Sequence, residues 1–214
     1  MKIRRRGVIM QPLIINLTGK KIVIVGGGEI AAKKAKVLQD EQAYITIIAE
    51  EFGDEIMDLA NQNEFILLKR KAVPSDFEGA ILVILAIHDQ EVNQQLADSL
   101  SPNQLVCVVD NSHKGNVTFP ATVRRGHLQI AVTSNGASPK LTHQIKQELE
   151  EKFDESWIEY TAFLSVFRKE VLKSNLTIHE KQKLLQEILD ENYRNDRHLR
   201  NQFVARFYAR NLEK

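Results

Sequence analysis

The sequence predicts an α/β chain: an amino-terminal parallel sheet flanked by helices, a small β-containing segment, and a helical carboxy-terminal domain. Three observations carry this. Short β-branched runs alternate with polar amphipathic stretches between residues 21 and 110, the pattern of βαβ units. Three glycines follow the first run directly and open the first helix. After Asp110 the alternation stops, and beyond residue 150 apolar residues recur only at helical spacing.

The first strand is "KIVIV", residues 21–25, apolar enough to be buried on both faces. A helix follows from Glu29 to Gln39, with Ile30, Lys34, Val37 and Leu38 near one face and lysines around the other. Next come a strand in "AYITIIA", a helix within "EFGDEIMDLANQN" and a strand in "FILLKRK". "GAILVILAI", "DQEVNQQLADSL" and "QLVCVVD" read as strand, helix and strand, so the sheet is expected to be parallel with right-handed crossovers. Two strand-like pieces, "TFPATVRR" and "HLQIAVTS", then flank Gly126 with no helix between them, which predicts a hairpin. Ser138 stands at an N-cap position, Pro139 at the first helical position, and Leu141, Ile145 and Leu149 follow at spacing four, giving a helix over about 139–152.

Trp157, Tyr160, Phe163, Leu164, Phe167 and Val171 repeat at helical spacing and form an aromatic stripe expected in a core or a subunit interface. Thr177 and Glu180 make a capping box ahead of Leu184, Leu185 and Ile188. The expected division is 1–112 for the nucleotide-binding domain, 113–150 for the hairpin and helix, and 151–214 for the helical domain.

Composition narrows the function. Hydrophobic residues make up 43% and charged residues 27%, and a net charge of +1 leaves no whole-chain field to attract nucleic acid. Cys107 is the single cysteine, which excludes an intrachain disulfide, a zinc cluster and a CxxC pair, favours a reducing cytoplasmic setting, and reads as a buried strand residue. The opening "MKIRRRGVIM" lacks the apolar region of a signal peptide, and Met10 is an alternative start. The longest apolar run, "AILVILAI", falls far short of the ~20 residues that cross a bilayer.

Gly26, Gly28 and Ala31 fill a G-x-G-x-x-A pattern between a buried strand and a helix. Gly26 makes the tight turn, Gly28 admits a pyrophosphate to the backbone, and Ala31 keeps helix and strand close. The helix start, with Gly27, Glu29 and Ile30 around it, offers unpaired N–H groups and the positive end of a dipole. A Rossmann-like dinucleotide site follows. At the end of the second strand "IIAEEF" supplies Glu50 and Glu51 with no Lys or Arg nearby, so Glu50 is the candidate for the ribose 2′-OH, and NAD is favoured over NADP.

From Asn111 to Gln147 there is no Asp or Glu, while Lys114, Arg124, Arg125, Lys140, Lys146, His113, His127 and His143 are present. This local positive face suits an anionic partner; a solvated surface balanced by the following "QELEEKFDE" is the competing reading.

Three passages together resemble the precorrin-2 dehydrogenase family, also met as the amino-terminal part of siroheme synthases. They are "INLTGKKIVIVGGGEIAAKKA", "AIHDQEVN" in place of the usual A-T-x-D-x-x-x-N, and F-P-A-x-x-R-R-G-x-L-x-I-A-V-x-S-x-G-A-S-P. The resemblance covers residues 11 to about 200, with no methyltransferase domain following, as in the stand-alone form. It implies NAD-dependent oxidation of precorrin-2 to sirohydrochlorin, with a bifunctional dehydrogenase and ferrochelatase as the alternative. It also implies a homodimer formed through the segment after the nucleotide-binding domain, an interface the stripe from Trp157 to Phe167 is expected to serve.

Carried over by position, the cofactor turn falls on Gly26, Gly27, Gly28 and Ala31. A second nucleotide-side segment falls on Ala86, Ile87, His88 and Asp89 with Asn93. The functional aspartate falls on Asp110, at the end of a parallel strand where such sheets place their ligands, with His113 as the other candidate base. Ser134, Asn135 and Ser138 are expected to position carboxylates, and Arg124, Arg125 and Lys140 to clamp them. No metal ligand set is visible at metal-site spacing. "AIHD", Asn135 and His143 depart from the commoner residues. A reading from another class, an NAD-binding regulatory module, lacks a use for a polycarboxylate-binding segment.

Overall fold

Lys21–Val25 (β1) buries every residue except Lys21, as a strand covered on both faces must. It lies at the centre of a five-stranded parallel sheet with Tyr44–Ala49 (β2), Ile66–Lys69 (β3), Ala80–Leu85 (β4) and Leu105–Val108 (β5), in the order β3-β2-β1-β4-β5. This is a computed structural model, which describes residues 10–87, 89–109 and 114–212. Gln11–Phe119 forms one compact unit, and the chain from Pro120 onward forms a second.

Alternate strand residues feed opposite faces of the sheet. Ile22, Ile24, Ile47, Leu82, Ile84 and Cys107 pack with Glu29–Leu38 (α1) and Asp54–Asn63 (α2), whose buried residues are Ala31, Ala32, Ala35, Leu38, Ile56 and Leu59. Val23, Val25, Ile48, Val83, Leu85, Val106 and Val108 form the other layer with Phe77, from a single 3-10 turn at Pro74–Phe77, and with Leu96 of Gln90–Asp98 (α3). The face assigned to α1 from periodicity is corrected here: three alanines and Leu38 meet the sheet, while Val37 is 49% exposed. Alanine lets the helix axis approach the β-branched strands, so small residues outcompete large ones for that stripe.

The β5 edge is closed without a further strand. The Asn116 side chain accepts from Val106 N–H at 2.7 Å and donates to the Gln104 carbonyl at 2.8 Å, while its own N–H donates to the Val106 carbonyl at 2.9 Å.

In the second unit Ala121–Arg125 (β6) and Leu128–Val132 (β7) pair antiparallel around Gly126, whose φ of +59° favours glycine. The Thr161 hydroxyl donates to the Arg125 carbonyl at 3.1 Å and accepts from His127 N–H at 3.1 Å, tying this turn to a helix. Pro139–Lys152 (α4) starts as expected, Ser138 Oγ accepting from Leu141 N–H at 3.2 Å, and it buries no residue completely.

Ser156–Lys173 (α5), Ile178–Glu187 (α6), Glu191–Asn195 (α7) and Arg197–Leu212 (α8) complete the chain, with the Thr177–Glu180 capping box formed at the start of α6. Their core gathers Tyr160, Phe167, Val171, Leu176, Ile188, Tyr193, Phe203 and Phe207. Phe167 meets Phe203 and Phe207 edge-on, with ring centroids 5.2 and 5.0 Å away. The core expected of the aromatic stripe forms within this unit: Tyr160 and Phe167 are buried, and Trp157 and Phe163, partly buried, pack against the same core. Arg200, 4% exposed, donates to the Tyr193 and Arg194 carbonyls at 2.8 and 2.9 Å and pairs with Glu159 at 3.0 Å. Among the described residues no helix is long and apolar enough to cross a membrane.

Candidate functional site

The chain leaves β1 for β2 on one side of the sheet and, after β3, returns to β4 on the other side of β1. Neighbouring connections therefore diverge at the carboxyl ends of β1 and β4, the switch point where such sheets bind ligands. A cleft of about 820 Å³ lies there. Gly26, Gly27, Gly28, Glu29 and Ile30 line it from the β1–α1 turn, Glu50 from the end of β2, Arg70, Lys71 and Ala72 from the end of β3, and Ala86, Ile87 and Asp89 from the end of β4.

The three glycines have different reasons to be glycine. Gly26 has φ +130°, its N–H donates to the Ile48 carbonyl at 2.9 Å, and a Cβ there would collide with the Ala86 carbonyl oxygen. A Cβ on Gly27 would collide with the Glu51 carbonyl oxygen, because the turn after β2 packs beneath it, with Gly53 N–H donating to the Gly27 carbonyl at 2.9 Å. Gly28 is otherwise: its φ of −93° suits any residue, and a Cβ there meets nothing within 4 Å. No side chain caps α1, so its first N–H groups face the open cradle above Gly28. An uncapped helix start, its dipole and an open glycine fit the pyrophosphate of a dinucleotide.

On the β4 side, Asp89 caps α3 by accepting from Glu91 and Val92 N–H at 2.9 and 3.1 Å. Asn93 lies 2% exposed beneath that turn and donates through Nδ2 to the Ile87 carbonyl at 2.7 Å. Ala31 is also buried, 1% exposed, and packs against the sheet rather than lining the cleft. Of the expected cofactor residues, the three glycines with Glu29, Ile30, Glu50, Ala86 and Ile87 come together in one cleft, Asn93 and Ala31 support it from behind, and His88 lies outside the described residues.

One expectation at this site is overturned. No cation was expected near Glu50, yet Lys71 Nζ lies 4.0 Å from Glu50 Oε2. Lys71 is twenty-one positions away in sequence but one strand away in the sheet, since β3 pairs with β2. Arg70 beside it is held by Asp76 through two hydrogen bonds of 2.7 and 2.5 Å, and Asp76 also accepts from Val73 N–H at 2.8 Å. The Arg70 guanidinium, and secondarily the Val73 N–H, hold the Asp76 carboxyl below the usual carboxylate range against the opposing effect of burial. The rule that parallel strands aim their carboxyl ends at a common ligand was the signal for both cations.

Asp110 and His113 lie outside the described residues. The segments on either side of them are anchored: Val109 N–H donates to the Leu85 carbonyl at 3.1 Å, and Asn116 is bonded along β5. Burial raises the Cys107 thiol pKa, as suits a strand residue of the core.

The expected carboxylate-binding residues all lie in the second unit. Ser134 Oγ accepts from Ser138 N–H at 3.0 Å, donates to the Ser138 carbonyl at 3.1 Å and lies 3.1 Å from Thr142 Oγ1. Asn135 sits at φ +49°, its N–H donating to Thr133 Oγ1 at 3.0 Å. These contacts shape the turn into α4. The Arg125 side chain is 17% exposed with Nε 3.5 Å from Glu155, and Lys146 pairs with Glu150 at 2.9 Å, so acids from the following stretch answer two of the cations. Arg124 and Lys140 stand on exposed positions. Among the described residues no group of three or more His, Cys, Asp or Glu is placed to hold a metal ion.

Residues 13–121 match a family model described as NAD(P)-binding, residues 125–152 the central segment of sirohaem biosynthesis proteins, and residues 157–203 the SirC carboxy-terminal domain. The chain is 33% identical over 185 residues to the precorrin-2 dehydrogenase of Priestia megaterium, covering 86% of this chain and 92% of that one. It is 36% identical over 149 residues to the precorrin-2 dehydrogenase of Bacillus subtilis, covering 70% and 92%. A solved structure titled SirC, precorrin-2 dehydrogenase, superposes with a TM-score of 0.81 at 31% identity, over 94% of this chain and 100% of that one. With the nucleotide cleft, the hairpin and the helical unit all matched in chain order, this chain belongs to the precorrin-2 dehydrogenase family.

Proposed function

We propose that this chain oxidises precorrin-2 to sirohydrochlorin with NAD, a step of siroheme biosynthesis. The observation that carries the nucleotide half of this reading is the cradle at Gly28, open where protein packing does not require glycine and faced by an uncapped helix start. NAD, when bound, supplies the hydride acceptor. The chain's own residues do the rest. The N–H groups at the start of α1 and the backbone of Gly27 and Gly28 hold the pyrophosphate. Glu50 accepts from the ribose hydroxyls. Ala86 and Ile87, fixed from beneath by Asn93, form the wall toward β4, and a wall held in place keeps the bound cofactor in one pose.

Asp110 is the proposed group that takes the proton released from the tetrapyrrole, with His113 as the alternative base. Arg124, Arg125 and Lys140 are proposed to clamp the substrate's carboxylates. Ser134, Asn135 and Ser138 are proposed to position those carboxylates, in a turn whose shape their mutual contacts hold. The boundaries 1–112, 113–150 and 151–214 stand as proposed functional regions, and the cytoplasm as the proposed location.

A homodimer formed through 113–150 is proposed as well. It is supported by α4, whose Leu141, Ile145 and Leu149 are left without complete burial. Light scattering that gives a monomer at concentrations where the protein is active rejects it.

The function is tested by adding precorrin-2 to the protein and NAD under anaerobic conditions and following absorbance at the NADH band. Appearance of NADH matched by sirohydrochlorin is the expected outcome, and NAD binding without turnover rejects the dehydrogenase reading. Ferrous iron added afterwards reads out the bifunctional alternative through conversion to siroheme.

A further inference from the structure

The ribose end of the cleft carries both an acid and a base. Glu50 reaches it from β2 and Lys71 from β3, with 4.0 Å between Oε2 and Nζ. Their side chains are 67% and 80% exposed, so the pair contributes little to folding. Its neighbour differs: Arg70 is bound twice by Asp76, whose side chain is 10% exposed, and donates to the Lys71 carbonyl at 3.0 Å. The Arg70 charge is thus already answered, and the same contact fixes the backbone from which Lys71 projects. The remaining cation in this wall of the cleft is Lys71, and its partner is the carboxylate expected to read the ribose.

We propose that Glu50 and Lys71 form a two-residue selector for the ribose 2′ position, in which Glu50 accepts from a 2′-OH and repels a 2′-phosphate, while Lys71 is a cation that serves a 2′-phosphate once the Glu50 charge is removed. This rests on the reading that the cleft holds a nicotinamide dinucleotide, and it deepens that reading. The physical basis is that a carboxylate beside a phosphate costs both charge repulsion and desolvation, whereas an ammonium in the same place binds it. Preference for NAD is then set by one carboxylate masking a cation, not by the absence of a cation.

The test titrates NADH and NADPH, by fluorescence, into the unmodified chain, Glu50→Gln, Lys71→Ala and the double variant. Both positions are exposed, so each variant is expected to fold, and circular dichroism checks this. Glu50→Gln is expected to tighten NADPH binding about tenfold or more, to weaken NADH severalfold, and to make the NADPH gain sensitive to salt. Lys71→Ala added to Glu50→Gln is expected to abolish most of that gain. Unchanged NADPH affinity in Glu50→Gln, or a gain that survives the loss of Lys71, overturns the selector. The two failures are distinguishable: NADH binding that ignores these variants rejects the selector alone, whereas an unmodified chain that binds neither nucleotide rejects the dinucleotide reading itself.

Discussion

Substituting Gly28 by alanine separates what the ligand requires from what the fold requires. The residue has φ −93° and ψ −171°, extended backbone open to any side chain, and a methyl there meets no protein atom within 4 Å. Two small effects on stability oppose each other. Alanine restricts the unfolded chain, which stabilises by about 0.4–1 kcal/mol at a compatible site. Glycine is the better N-cap, and losing it costs a comparable amount, roughly 0.5–1 kcal/mol. The net change is expected to stay within about 0.5 kcal/mol, or about 3 °C in Tm for a domain of roughly a hundred residues.

Binding is expected to respond far more. A methyl in the cradle keeps a pyrophosphate from the N–H groups of α1, and losing one charge-assisted hydrogen bond of about 1.5–3 kcal/mol corresponds to roughly 10- to 150-fold in Kd. Thermal unfolding by circular dichroism and NADH titration by fluorescence give the two readings. An intact fold with NADH affinity unchanged within about twofold refutes the assignment of Gly28 to the pyrophosphate. Gly27→Ala is the contrasting case: its methyl meets the Glu51 carbonyl and the Ala49 side chain, so it is expected to destabilise by about 1–3 kcal/mol before any ligand is added.

Asp110→Ala is expected to leave NADH binding intact and to lower turnover by about 10²-fold, measured as NADH formation; an unchanged rate moves the general base to His113 or to solvent. The Arg70–Asp76 pair gives a pH dependence of known sign. Because the folded Asp76 pKa is lowered, its contribution is fully present above the ordinary carboxylate pKa and is lost as pH falls through the lowered value. The Val73 amide proton, bonded to that carboxylate, is expected to titrate by NMR with a midpoint below that of an ordinary aspartate, and a midpoint at or above it contradicts the pairing. Phe167→Ala, at a site 2% exposed among Phe203 and Phe207, is expected to cost about 3–5 kcal/mol. Denaturant unfolding followed through Trp157, the only tryptophan, reads it in the unit that carries the change, and a loss under about 1 kcal/mol means that the aromatic cluster does not hold these helices together.

Much of the fold was legible because its signals are local. The apolar runs of β1, β2 and β4 need only their own residues to declare strands buried on both faces. Pro139 and the Thr177–Glu180 capping box mark helix starts within four residues. The face of α1 was misread because alanine carries a weak hydrophobic signal, yet its small size is what lets the helix meet the sheet.

The nucleotide cleft divides in the same way. Gly26 to Ile30 form one continuous turn, so their convergence is visible in sequence. Lys71 reaches Glu50 only through strand pairing between β2 and β3, a relation that no window along the chain contains. Ser134 and Arg125 carry the chemistry expected of carboxylate binders, but their partners within the unit, Ser138, Thr142 and Glu155, were not deducible from residue type.

The way Asn116 occupies the β5 edge bears on how this protein behaves when concentrated. An open sheet has two sides along which another chain can add itself, and every such side is a route to insoluble assembly. Here the side chain and backbone of Asn116 engage Val106 N–H and the Val106 and Gln104 carbonyls, so a foreign strand finds its ladder already taken. What remains is β3, four residues long and running directly into Arg70 and Lys71, a stretch too brief and too charged to template stacking. Replacing Asn116 therefore unlocks a longer-lived hazard than the loss of its two side-chain hydrogen bonds: a seam along which copies of the protein can polymerise.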